Sequence, residues 1–435
     1  MEKFEYARIG ERFFQERLSN GLQVYLIPKK NFNKTYAIFT TNFGSIDNEF
    51  IPIGERKSAH FPDGIAHFLE HKLFEKEDGD VFQKFGKLGS SANAFTGFTR
   101  TSYLFSTTSK VKKNLEVLLD FVQDPYFTEE TVKREKGIIA QEIQMYQDDA
   151  DWRLFFGMLE NLYPETSLSR DIAGTVESIE EITSEMLYQS YYNFYHPSNM
   201  ILVLAGSFDA REIMTFIKEN QIRKEFVSIP ILEDKNSSLR DMGVISDRTL
   251  EVNVVRPKFA LGLKGRDIIG EASLEYLRYK FSLKMFFQML FGSLSQNFLK
   301  LYKEGLVDNS FSYDFVLDRG YHFAEISGDV NDPKKVMEIL QEILANYHEQ
   351  EDFNEGMFHL VKKQIIGKWF QSLNSLEAIA NNFSQGICGV QKEVLFFETP
   401  SLVGGISFED FQCLVKKFMD KAKITFFSII PKIKK

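Results

Sequence analysis

The chain has 435 residues, 43% of them hydrophobic and 26% charged, with a formal net charge of -9. That length is too great for one hydrophobic core, so two domains are expected. The acidic balance argues against a nucleic-acid binder, and no run nears the ~18 apolar residues that cross a bilayer.

The chain opens with MEKFEYARIGERFFQERLSNG, which has no apolar core of signal-peptide type. Only Cys388 and Cys413 occur, which rules out a disulfide scaffold and fits a reducing compartment. The expected location is cytoplasmic, with no membrane partner.

The stretch GIAHFLEHKLF, Gly64 to Phe74, carries polar groups inside a run apolar enough for a buried helix. His67 and His71 are four apart, so on a helix they share one face and can reach one metal ion. Glu70 lies on the same side, close enough to address a water on that metal. The order is H-x-x-E-H, the inverted zincin pattern. Ile65, Ala66, Phe68, Leu69, Leu73 and Phe74 would bury this helix. A buried unpaired ionisable group costs several kcal/mol, a cost that a metal removes.

Next come FQKFGKLGSSANAF and TGFTRTSYLFST, the latter alternating as a strand does. Leu115, Leu118, Phe121 and Val122 then recur at helical spacing. The helix TVKREKGIIAQEIQMY follows. It holds Glu135 and Glu142 two turns apart on one face. Catalytic zinc takes three protein ligands and leaves one position open. Glu142, among apolar neighbours, is the better third ligand. Glu135 could hydrogen-bond a liganding histidine from behind.

The strand-like MILVLAG, Met200 to Gly206, closes the first half, and the polar segment 227–243 reads as a linker. The pattern then repeats. FLKLYKEGLVDNSF matches FQKFGKLGSSANAF at one offset, pairing Phe298 with Phe82, Gly305 with Gly89, Asn309 with Asn93 and Phe311 with Phe95. Asp332 and Pro333 start a helix, and MFHLVKKQIIGKWFQSL aligns Ile365-Ile366 with Ile138-Ile139. The expected fold is α+β, with two homologous domains that each pack a mostly antiparallel sheet against helices. Their bounds are 1–226 for the half with the metal site, 227–243 for the linker and 244–435 for a half without one.

GIAHFLEHKLF, GSSANAFTGFTRTSYLF, the E-x6-E of Glu135 and Glu142, and FYHPSNMILVLAG together resemble the insulinase and pitrilysin family of zinc peptidases. That family includes the mitochondrial processing peptidases; the likeness is to its short two-domain bacterial members. The resemblance implies that His67, His71 and Glu142 hold Zn2+. It makes Glu70 the general base on a zinc-bound water and Glu135 the outer carboxylate. Asn93 and Ala94 match an edge strand to which an extended peptide substrate adds. The implied activity is that of a zinc metalloendopeptidase cleaving peptides or unfolded segments.

In the second half, position matching sets Lys284, Phe287 and Gln288 opposite His67, Glu70 and His71. Lys362 and Trp369 fall opposite Glu135 and Glu142. The family often draws an Arg and a Tyr from a non-zinc domain, and here Leu301 and Asp308 stand in those places. The implied partner is a homologous subunit that supplies them in a heterodimer. Two other readings stay open: a non-catalytic assembly subunit that keeps the fold, and a zinc hydrolase or lyase acting on a small molecule.

Overall fold

A computed structural model describes residues 1–226, 239, 243–269, 274–389 and 395–432. The expected linker at 227–243 therefore lies outside the described residues apart from Leu239 and Gly243. Cys413 is exposed; the side chain of Cys388 also lies outside what is described.

Contacts gather the chain into two compact units that cut across chain order. One comprises residues 1–144, 171–233 and 371–397; the other comprises 145–170, 234–370 and 398–435. The first is built on a seven-stranded sheet. Its order is Glu2–Tyr6, Glu11–Arg17, Gln23–Pro28, Met200–Gly206, Thr35–Thr41, Thr101–Thr107 and Ser91–Thr96. Every neighbouring pair is antiparallel except Met200–Gly206 against Gln23–Pro28. The two strands at its centre, TYAIFTT and MILVLAG, are buried on both faces. That explains why they read as continuous apolar runs rather than alternating ones.

The second unit has five strands in the order Asp247–Val252, Lys423–Pro431, Lys258–Lys264, Tyr321–Asp329 and Ser312–Asp318. Its one parallel pair is Asp247–Val252 with Lys423–Pro431. This repeats, strand for strand, the last five positions of the first sheet, parallel pair included. The protein is α+β, with two homologous domains.

Each sheet is covered by a helix that chain order would assign to the other half. Ala150–Leu162 belongs to the second unit. There Gly157 lies so close to Phe427 that a β-carbon would sit 2.2 Å from its ring. Leu376–Gly389 belongs to the first unit, where Asn381 donates to the Tyr36 hydroxyl at 3.1 Å.

Of two stretches with strand-like alternation, TGFTRTSYLFST and SYDFVLDRGYHFAEIS, the second is a hairpin. TGFTRTSYLFST supplies one strand, Thr101–Thr107; its first residue, Thr96, ends the strand before, and in the turn between them Gly97 N–H bonds the Arg100 carbonyl at 2.8 Å. SYDFVLDRGYHFAEIS turns at Arg319-Gly320, with Gly320 at φ 82. Alternation persists through a tight turn, so periodicity alone does not reveal the fold-back.

Candidate metal centre

The motif folds as a helix over Ile65–Leu73. It begins at Gly64, whose φ is +91 and where a β-carbon would lie 2.4 Å from the Ala173 carbonyl oxygen. No other residue meets both demands cheaply. Ile65, Ala66, Phe68, Leu69 and Leu73 anchor the helix in the core. His67 at 8% exposure and Glu70 at 7% are buried with them, and Lys72 is fully enclosed.

Facing it is the helix Glu129–Asp148, pinned by buried Val132, Ile139 and Ile143. The face beside that apolar stripe presents Glu135 and Glu142. His67 Nε2 lies 3.7 Å from Glu142 Oε1, and His71 Nε2 lies 3.5 Å from Glu142 Oε2. One donor atom from each of His67, His71 and Glu142 falls within 4.8 Å of the others. Among the described residues no other group of three or more such side chains could hold a metal. Behind this trio, His71 Nδ1 is 3.0 Å from Glu135 Oε1. A carboxylate there accepts a hydrogen bond from Nδ1–H and leaves the Nε2 lone pair free for a cation. His67 Nδ1 is buried with no hydrogen-bond partner.

Burial sets the protonation chemistry. It drives the His67 pKa down to about 3, with the His71 charge adding to the shift and Glu135 opposing it. The ring is thus held neutral, as a ligand must be. Burial also lifts Glu70 to about 7, against the pull of the Thr96 hydrogen bond and the His71 charge. At His71 burial lowers the pKa, but the Glu135 hydrogen bond and the charges of Glu70, Glu135 and Glu142 together raise it. Two imidazoles, one carboxylate and one basic carboxyl beside them suit a divalent ion such as zinc.

Asn93 and Ala94 lie on Ser91–Thr96, the terminal strand of the first sheet. Asn93 Oδ1 accepts the Ala94 N–H at 2.9 Å. Neither touches the metal trio through any contact described.

Sequence reasoning missed two features. Thr96 donates to Glu70 Oε2 at 2.5 Å; a threonine in a strand looks like ordinary β-propensity. Buried Lys72 bonds Glu75, which is also paired with Arg134 on the facing helix. A lysine inside an otherwise apolar helix was a readable signal, with an acidic residue three positions on to answer it.

The second half places different chemistry on the matched positions. Lys284 pairs with Asp314 at 2.9 Å, Phe287 is fully buried and Gln288 donates to Gln364 at 2.6 Å. Lys362 donates to the carbonyls of Gly404 and Ile406, and Trp369 is buried. Leu301 is buried too, and Asp308 pairs with Arg256 at 2.6 Å.

Comparison with known proteins agrees with this division. The profile of "Insulinase (Peptidase family M16)" matches residues 50–176, and that of "Peptidase M16 inactive domain" matches residues 181–365. The uncharacterized zinc protease YmfH of Bacillus subtilis is 44% identical over 99% of this chain and 100% of its own. A crystal structure described as an M16-like peptidase from Alicyclobacillus acidocaldarius has a TM-score of 0.90 at 33% identity, covering 99% of this chain and 100% of that one. A protease from Helicobacter pylori shares the fold with a TM-score of 0.80 at 17% identity, over 97% and 100% of the two chains. The chain belongs to the insulinase family of peptidases, family M16.

Proposed function

We propose that the protein is a zinc-dependent endopeptidase acting on peptides or unfolded segments. One observation carries the reading: three donor atoms from His67, His71 and Glu142 lie within 4.8 Å of one another beside a buried carboxyl group. The relatives' printed names, zinc proteases, support the choice of metal.

His67 and His71 through Nε2, and Glu142 through a carboxylate oxygen, would hold the ion. Bound zinc supplies Lewis acidity, which acidifies a water and polarises a carbonyl. Glu70 takes the proton from water as its oxygen attacks the peptide carbonyl carbon. It then returns that proton to the nitrogen as the C–N bond breaks, leaving one carboxyl and one amine terminus. Its raised pKa suits a group that must both accept and release a proton near neutrality. Glu135 keeps His71 oriented. The strand Ser91–Thr96, with Asn93 and Ala94, offers an open edge to which an extended substrate can pair.

The working unit in this reading is a heterodimer with a related subunit. Leu301 and Asp308 stand where the family draws an Arg and a Tyr, and both are committed elsewhere, one to the core and one to Arg256. The reading also keeps the protein off nucleic acid and membrane and places it in the cytoplasm. Among the described residues no helix is long and apolar enough to cross a membrane.

The test combines metal analysis with turnover on an unstructured peptide, for the chain alone and with its co-purified partner. Zinc bound by the wild type, turnover enhanced by the partner and turnover lost in Glu70→Gln are expected. A zinc-free protein would favour a non-catalytic assembly subunit instead. Cleavage of small substrates with peptides untouched would favour a small-molecule enzyme.

A further inference from the structure

We propose that Thr96 is the positioning residue for the general base, and that it couples Glu70 to the strand on which a peptide is laid. The inference rests on the reading of Glu70 given above. Thr96 is the last residue of the edge strand Ser91–Thr96. Its Oγ1 donates to Glu70 Oε2 at 2.5 Å. A hydroxyl has one proton to give. The hydroxyl of Thr101 lies 3.3 Å from Thr96 Oγ1. Thr101, fully buried, gives its own proton to the Phe43 carbonyl at 2.8 Å. Thr101 could then only accept from Thr96, and at 3.3 Å it competes poorly with the Glu70 oxygen at 2.5 Å, so the single proton of Thr96 goes to Glu70.

That bond breaks the symmetry of a carboxylate. Rotation about the terminal torsion would otherwise exchange its two oxygens. With Oε2 anchored, Oε1 becomes the working oxygen, and no described hydrogen bond reaches it. Orientation of this kind matters: a misplacement of about 1 Å costs on the order of 10²-fold in rate.

The second link is the strand. Inside the sheet Thr96 pairs with Thr101. On its outer side Ser91–Thr96 is terminal and open. A substrate added at that edge bonds to the same backbone that carries Thr96. Drawing the strand into register moves Oγ1, and the anchored carboxylate moves with it. Peptide binding and alignment of the base become one event.

Thr96→Val and Thr96→Ser test this. Valine keeps shape, β-branching and backbone but has no hydroxyl; serine restores the hydroxyl. The full-length chain, zinc-loaded and with its partner where one co-purifies, is assayed on a fluorogenic unstructured decapeptide. Thr96→Val should keep zinc and KM while kcat falls about tenfold or more, and Thr96→Ser should recover most of the loss. A second readout needs no turnover. In metal-free protein at pH 8, Thr96→Val should lower Tm by about 3 °C beside Glu70 and have no effect in a Glu70→Leu background. Equal losses in both backgrounds overturn the inference. So does wild-type kcat in Thr96→Val when Glu70→Gln is dead, and then this inference falls alone. Wild-type turnover in Glu70→Gln would bring down the functional reading and this inference together.

Discussion

The two sheets share five strand positions and one parallel pairing, and each carries a helix against its edge hairpin. On the first, that helix is Ile65–Leu73, with His67 and His71 set against Glu142 and Glu70 held by Thr96. On the second it is Leu274–Phe291. There Lys284, Phe287 and Gln288 are each satisfied by ordinary means: an ion pair with Asp314, burial, and a hydrogen bond to Gln364. The comparison teaches what a metal centre requires beyond a scaffold. A fold of this kind keeps buried polar groups either neutralised by one another or gathered around a shared charge. The second half takes the first solution. The first half sets two imidazole Nε2 atoms against one carboxylate and keeps Glu70 protonated up to about pH 7, a poor arrangement until a cation joins it.

Substitutions can break that comparison, in order of expected effect. Glu70→Gln should lower turnover by about 10³-fold, while Phe287→Leu, its counterpart, should leave turnover within about twofold because it changes only packing. Peptide cleavage rates of the two variants check this.

The next effect concerns ion pairs. Glu75→Gln strands a fully enclosed Lys72 and should cost about 3 kcal/mol in chemical unfolding. Asp314→Asn, which breaks the exposed pair to Lys284, should cost under about 1 kcal/mol. Similar losses for both would contradict the contrast drawn between the halves.

The third effect depends on pH. The pKa of Glu70 is about 7 in the folded, metal-free protein against an ordinary 4.5. The folded state therefore holds that proton more tightly. Its stabilising effect is complete below pH 4.5 and is lost as pH rises through 7. At pH 8 the buried anion costs about 3 kcal/mol. Metal-free Glu70→Gln should thus be more stable than wild type by that amount at pH 8, with the gain shrinking to nothing below pH 4.5. His67 acts in the opposite sense. Its folded pKa of about 3 lies below the ordinary 6.5, so stability is lost as pH falls from 6.5 towards 3. Unfolding curves across that range, with and without each side chain, separate the two.

Much of this was legible in the chain. The four-residue step from His67 to His71 places them on one helical face, and both Nε2 atoms do point towards Glu142. The seven-residue step from Glu135 to Glu142 puts two carboxylates on one face, and the structure sets Glu135 on His71 Nδ1. The repeat around Phe82 and Phe298 anticipated two homologous domains, though not their strand order. What escaped has physical reasons. Amphipathicity shows that Ala150–Leu162 and Leu376–Gly389 bury a face, but not which sheet receives it. Alternation runs through the Gly320 turn without a break in period. Thr96 acts through one hydroxyl proton, and that contact joins residues 26 apart in sequence, on different elements.

The most direct measurement is zinc titration of the metal-stripped full-length chain by calorimetry, repeated for His71→Ala and Glu142→Ala. The account predicts one ion per wild-type chain, no tight site in His71→Ala, and binding weakened at least about a hundredfold in Glu142→Ala. Zinc held equally well by all three proteins, or by none of them, would contradict it.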